Sequence, residues 1–288
     1  MSRIKIENSK RQYFHHCYLD IITPKKSGQE AGESFGYNYF GLESLIMTSQ
    51  PLQGKTILIT GAARRLGRAF ALACAHAGAD IVIHHGHSDF DAGTLHREIT
   101  RLGRLAWVHQ ADLSDSSQAQ GLIPLVTEST PLHGLVNCAA IFEPLSLDST
   151  SIEDWQRHLA INLTAPFLLS QAFARQAEDG ARIVNILDWR ALRPGADHFP
   201  YTVSKSALAA MTRSLALALA PKVIVNGLAL GAILPPTDGN KNPDIINNVP
   251  IKRWAQEGEV EQALLFLLTC PTFITGEILH VDGGRHLV

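Results

Sequence analysis

From Gln53 onward, short apolar and β-branched runs alternate with longer stretches in which apolar positions recur at helical spacing. That alternation is the pattern of βαβ units arranged around a parallel sheet. Seven runs predict strands, at residues 56–60, 80–84, 105–110, 134–137, 182–187, 223–227 and 277–281. Most are apolar along their whole length, as strands covered by helices on both faces must be. The intervals predict helices over residues 66–77, 92–102, 116–128, 152–177, 201–220 and 259–269, each closed by Gly, Pro or a polar cluster. The expected class is α/β: a single-domain, Rossmann-type, doubly wound parallel sheet of about seven strands with helices on both faces.

Residues 1–50 follow neither period. They mix His15 and His16, Pro24 with Lys25 and Lys26, and a glycine-aromatic stretch at residues 35–40. We expect an N-terminal extension, flexible or serving as an oligomer arm, ahead of a folded domain at residues 51–288.

Composition narrows the function. The 288 residues are 45% hydrophobic and 18% charged, an ordinary globular balance that excludes a disordered or collagen-like chain. Lys and Arg total 25 against 27 Asp and Glu, a formal charge of −2, so nucleic acid is excluded as the main partner. Cys17, Cys74, Cys138 and Cys270 lie far apart with no CxxC pair, which predicts neither a disulfide framework nor a zinc cluster and points to a reducing cytoplasm. No apolar run approaches the roughly 18 residues of a membrane span, and residues 1–10 are too polar for a secretory leader. A small molecule is the expected partner, with no membrane and no metal.

The first strand runs into Thr60-Gly61-Ala62-Ala63-Arg64-Arg65-Leu66-Gly67 and then an alanine-rich helix. A glycine turn that delivers a helix N-terminus to a strand end is a cradle for a pyrophosphate. An NAD site would place an acidic residue at the end of the second strand to hold the ribose hydroxyls. This strand instead ends in His84-His85-Gly86-His87-Ser88, whose donors, with Arg64 or Arg65, suit a 2′-phosphate. NADPH is therefore expected over NADH. Apart from Asp89, the same histidines have no Cys or carboxylate at metal-ligand spacing, and alternate strand positions point to opposite faces.

Further landmarks follow in order: Asp112-Leu113, Asn137-Cys138-Ala139-Ala140, Asn162, Tyr201 with Lys205, Val225-Asn226, Ile274-Thr275-Gly276, and Val281-Asp282-Gly283-Gly284. With the glycine turn, this series resembles the short-chain dehydrogenase/reductase family from Leu52 to the C-terminus. The resemblance implies a catalytic set of Tyr201, Lys205 and Asn162. It also implies cofactor contacts at Gly61, Arg64, Arg65, Leu66, Gly67, His84, His85, His87, Ser88, Asp112, Leu113, Asn137, Cys138, Ala139, Gly231 and Ile233, besides Tyr201 and Lys205. A homo-oligomer, tetramer or dimer, built through helices 152–177 and 201–220 is implied as well. Tyr201 and Lys205 are four residues apart, so one helix face carries both, and an adjacent ammonium would draw the phenol toward phenolate.

Departures from the family refine the expectation. Asp188 stands thirteen residues before Tyr201, where most members carry Ser, and Arg65 replaces the middle glycine of the turn. Both changes resemble the pteridine reductase and dihydromonapterin reductase branch. There Asp, Tyr and Lys act together, and an aromatic ring at the place of Phe142 stacks on the pterin. Phe142 has two readings, such a platform or an ordinary packing residue of its loop. A carboxyl at Asp188 able to hold a proton would relay it through Tyr201 to a ring nitrogen. Leu230-Gly231 replaces the usual Pro-Gly, Leu234-Pro235-Pro236 stands where a Thr is usual, and Trp189 and Arg190 are foreign to that branch. Substrate contacts are expected at Phe142, Asp188, Tyr201 and Leu234, under a polar lid over residues 234–253. Three functions stay open: a pteridine reductase, a carbonyl or 3-oxoacyl reductase that tolerates Asp for Ser, and a catalytically silent NADP-binding scaffold.

Overall fold

Strand β1 (Thr56–Ile59) is β-branched and apolar, and all four of its residues are buried. Its side chains alternate between two layers. Ile57 and Ile59 enter one apolar cluster and Leu58 the other, just as Ile81 and Ile83 part from Val82 on β2 (Asp80–His85). Helix α1 (Arg65–His76) packs Phe70, Ala71 and Cys74 into the first cluster, beside Leu95 and Ile99 of α2 (Asp89–Arg101). The second cluster takes Leu122, Ile123 and Val126 of α3 (Ser116–Thr127), which follows β3 (Ala106–Gln110). Phe70 is fully buried, so Phe70→Ala would cost about 3–5 kcal/mol.

The computed structural model describes residues 50–234 and 243–288, without the side chains of residues 243 and 244. The expected arm at residues 1–49 and positions 235–242 of the expected lid lie outside the described residues. The remaining elements are β4 (Gly134–Asn137), α4 (Ile152–Leu159), α5 (Ala165–Gln176), β5 (Ala181–Asp188), α6 (Phe199–Leu219), β6 (Val223–Leu230), α7 (Pro243–Asn247), α8 (Glu259–Thr269) and β7 (Ile278–Val281). All seven strands are parallel, in the order β3-β2-β1-β4-β5-β6-β7. This is the expected doubly wound architecture. Because β4 returns to the far side of β1, the strand order reverses there, and a crevice opens beyond the C-terminal ends of β1 and β4.

One expected element is corrected. The single helix over residues 152–177 is two helices joined by a π-turn at Ala160–Thr164. Pro166, in the first turn of α5, has no N–H to donate to the carbonyl four residues back, so the regular ladder lapses around Asn162. The Ser151–Asp154 capping box starts α4, with Asp154 N–H donating to Ser151 Oγ at 3.0 Å. Strand β5 reaches one residue further than expected, and its last residue, Asp188, pairs with Leu230 of β6. That extra residue carries its carboxyl to the crevice edge.

Candidate active site

Backbone geometry builds the first half of the crevice. Gly61 has φ +66, and a Cβ added at Gly67 would lie 2.2 Å from Gly61 O. The N-terminus of α1 is thus pressed directly onto the glycine turn, its unpaired amides at the crevice. Thr60 Oγ1 accepts the Cys138 and Ala139 N–H groups at 2.9 and 3.0 Å, clamping the end of β4 to the same turn. The resulting cleft has a volume of about 410 Å³. Gly61, Arg64, Arg65, Leu66 and Gly67 form one wall, and His84, His87, Asp112, Leu113, Cys138 and Ala139 are among the residues of the other. Arg65 holds φ +48, a conformation that favours glycine. Arg64 is ion-paired with Asp91.

The histidine cluster divides. His84 is buried, its Nδ1 accepting the Gly61 N–H at 3.1 Å while Nε2 lies 3.1 Å from Ala111 O. Burial pulls its pKa down to about 4, so the ring is neutral. His84 therefore braces the glycine turn with both ring nitrogens engaged, while still lining the cleft where donors were expected. His85 is also buried, and its Nδ1 accepts the Ser88 N–H at 3.3 Å. Among the described residues lining the cleft, neither His85 nor Ser88 appears, whereas exposed His87 does.

Asp112 Oδ1 accepts the Ser114 N–H and hydroxyl at 2.9 and 2.8 Å, and these bonds hold its carboxyl below the usual range. Asn137 is buried and donates to Asn185 Oδ1 at 2.8 Å, and Asn185 donates to Thr212 Oγ1 at 2.9 Å, a polar thread from β4 through β5 to α6. Burial pushes the Cys138 thiol up to about 12, which leaves it inert.

Tyr201 and Lys205 lie one turn apart on α6 and face the end of β5, both buried. Tyr201 OH donates to Asp188 Oδ2 at 3.3 Å, and the Arg190 N–H donates to Asp188 Oδ1 at 2.8 Å. Burial raises the Asp188 pKa. Burial, and then the neighbouring Asp188 carboxylate, push the Tyr201 phenol well above its ordinary value. The expected pull toward phenolate is therefore reversed in this state. Lys205 Nζ donates to Ile186 O at 2.8 Å, lies 5.8 Å from the Tyr201 ring centroid, and is brought down to about 8 by burial. Asn162, held at the π-turn, accepts the Ile141 N–H at 2.9 Å and donates to Ile141 O at 3.0 Å and Ser204 Oγ at 3.1 Å. Thus Asp188, Tyr201 and Lys205 form one cluster, with Asn162 pinning the Phe142 loop beside it.

Phe142 stacks on His198 with ring centroids 4.0 Å apart and meets the Tyr201 ring edge-on at 4.7 Å. Four residues given no role by sequence reasoning complete this end: Trp189, Arg190, Asp197 and His198. Arg190 bonds Asp197 at 2.6 Å, approaches Asp188 at 3.5 Å and lies 5.9 Å from the Phe142 centroid. His198 adopts φ +49, which turns the chain into α6. The signal was weak, an Asp-His pair just ahead of Tyr201. Gly231, Ile233 and Leu234, like Asn137, Tyr201 and Lys205, are not among the residues lining the cleft beside Gly61. A Cβ at Gly231 would lie 2.6 Å from Asp282 Cα, Ile233 lines a separate cavity of about 270 Å³, and Leu234 is exposed.

Residues 61–286 match the family model described as enoyl-(acyl carrier protein) reductase. A 3-oxoacyl-[acyl-carrier-protein] reductase of Synechocystis sp. is 31% identical over 240 residues, covering 81% of this chain and 97% of the relative. A crystal structure of a blue fluorescent protein from a metagenomic library in complex with NADPH superposes with TM-score 0.78 at 32% identity, over 82% of this chain and 99% of that one. FolM alternative dihydrofolate reductase 1 from Brucella canis, complexed with NADP, superposes with TM-score 0.76 at 31% identity, over 82% of this chain and 96% of that one.

Proposed function

This chain belongs to the short-chain dehydrogenase/reductase family, and from that premise we propose that it is an NADPH-dependent reductase acting on a small pteridine of dihydropterin or dihydrofolate type. The cleft fits the cofactor in the chemistry of its lining, a glycine turn and the first residues of a helix edging a cavity of about 410 Å³. The Gly61–Gly67 turn, Leu66 and the α1 amides would hold the pyrophosphate, and Arg65 and His87 the 2′-phosphate. Asp112 and Leu113 would contact the adenine. Asn137, Cys138, Ala139, Tyr201 and Lys205 would bind toward the nicotinamide ribose. When bound, NADPH supplies the hydride.

The carrying observation is the hydrogen bond from the buried Tyr201 to the half-buried Asp188. Tyr201 gives its proton to the substrate ring nitrogen next to the carbon that receives hydride, and Asp188 returns a proton to Tyr201. Burial keeps Asp188 protonated to higher pH than an ordinary carboxyl, as this role needs. Lys205, anchored on Ile186 O, orients the cluster, and Asn162 would anchor a water that resupplies protons. Phe142, edge-on to Tyr201, supplies an aromatic wall for a flat heterocycle.

A second reading, reduction of a carbonyl or 3-oxoacyl group, draws on the Synechocystis relative. Asp188 would then be a tolerated replacement. NADPH oxidation across dihydropterins, dihydrofolate, simple ketones and a 3-oxoacyl thioester separates the two. Pteridine turnover lost in Asp188→Ala supports the proposal. Turnover confined to carbonyls replaces it with the second reading, and tight NADPH binding without turnover leaves a silent scaffold.

A further inference from the structure

Immediately after Asp188, the short 3₁₀ turn Trp189–Ala191 places an indole next to the carboxyl of the catalytic cluster in the chain. Two guanidiniums lie against this one ring, Arg190 at 4.7 Å and Arg285 at 4.9 Å from its centroid. A third joins them: Arg193 Nη1 donates to Arg285 O at 3.4 Å. These cations come from two distant segments, the turn after β5 and the C-terminal turn Arg285–Leu287.

Their charges are not equally balanced. Arg190 is ion-paired with the Asp197 carboxylate at 2.6 Å and also lies 3.5 Å from Asp188 Oδ1. Among the described residues, no carboxylate lies within ion-pair distance of Arg193 or Arg285. The Arg285 side chain bonds a carbonyl, Nη1 to Asn248 O at 2.6 Å, and its pKa is lowered by burial and then by Arg190 and Arg193, with the more distant Asp197 acting in the opposite direction. Bringing like charges together costs free energy unless something answers them. Two surplus cations beside a stacking ring suit a ligand that carries an anion at one end and an aromatic group next to it.

We propose that Trp189, Arg193 and Arg285 form a subsite for the carboxylate-bearing tail of the substrate, selecting a pteridine with an acidic side chain, as in dihydrofolate, over a neutral dihydropterin. This rests on the pteridine reading for the ring that accepts hydride. Trp189 stacks the tail's aromatic portion, and Arg193 and Arg285 bind its carboxylates. Arg190, already neutralised, stays with Asp188 and Asp197.

The test uses the full-length protein with NADPH and two acceptors, dihydrofolate and dihydrobiopterin, in wild type, Arg193→Gln, Arg285→Gln and the double variant. For dihydrofolate, KM should rise roughly tenfold in Arg285→Gln and more in the double variant, with kcat within twofold. For dihydrobiopterin, kcat/KM should fall by less than about threefold in any variant. Added salt should raise the wild-type KM for dihydrofolate and affect the double variant far less. Equal losses on both acceptors, or none on either, overturn the subsite. Because Arg285 also ties Asn248, Arg193→Gln provides a variant that leaves that bond in place. Calorimetric titration of p-aminobenzoyl-glutamate into the NADPH-loaded protein separates this proposal from the reaction. Binding lost in the double variant supports the subsite even if no pteridine turns over, and no binding to wild type overturns it.

Discussion

The two halves of the crevice are built from different chemistry. Around Gly61 and Gly67 the exposed polar groups are backbone amides held by local chain geometry, and the buried side chain bonded to that turn, His84, is neutral. Around Asp188 the polar groups are titratable side chains, Asp188, Arg190, Asp197, Tyr201, Lys205 and Arg285, gathered from separate segments. An amide cradle keeps its charge distribution at any pH and tolerates little change of shape. A cluster of titratable side chains keeps its shape through substitution but changes its chemistry with each proton. The cofactor half should therefore break through sterics, and the substrate half through proton balance.

The largest effect is expected on the substrate side. Tyr201→Phe should lower turnover by about 10³-fold while NADPH affinity, measured by fluorescence titration, stays within a few-fold. Turnover near wild type would remove Tyr201 from the proton path. Gly67→Ala is the steric counterpart. With Gly61 O only 2.2 Å from the new Cβ, backbone must move, which should cost about 3 kcal/mol of stability and most of the NADPH affinity. Thermal melts with and without NADPH would show both losses, and an unchanged melting temperature would mean that the turn yields freely.

Next comes pH. Burial raises the Asp188 pKa, so its proton is present below that raised value and is lost as pH rises through it. Pteridine turnover should decline on that basic side, and Lys205, held at about 8, loses its ammonium higher up. Asp188→Asn should reduce kcat about 100-fold and flatten the decline assigned to Asp188, which a pH–rate profile measures. A decline that persists unchanged would shift the titration to another group.

The smallest effect is expected at Arg65. Arg65→Gly relieves φ +48, about 1 kcal/mol, and loses a similar amount to chain entropy. Stability should hold within about 0.5 kcal/mol. The preference for NADPH over NADH should drop several-fold in steady-state assays.

Legibility followed the same division. The glycine turn was readable because two glycines and a strand-to-helix switch within eight residues specify a local shape. The pairing of Tyr201 with Lys205 was readable because helical spacing alone places them together. Asp188 was found by its distance from Tyr201, an inference from resemblance rather than from period. The split at Asn162 was missed because apolar periodicity continues through Pro166, while the missing N–H breaks the ladder. The fate of His84 was missed because strand alternation says which face a ring takes, not that a glycine amide 23 residues away will occupy its nitrogen.

By itself the sequence determined the parallel sheet, the order of its elements and the two short motifs, since apolar period and glycine placement act over a few residues. Only the tertiary structure decided protonation and charge balance. The burial that raises Asp188 and Tyr201 depends on β5, α6 and the Phe142 loop closing on one point. Arg285 meets Trp189 only because the C-terminal turn folds back beside the end of β5. Desolvation and Coulomb energies depend on distances in space, and residues almost a hundred positions apart set those distances once the sheet has formed.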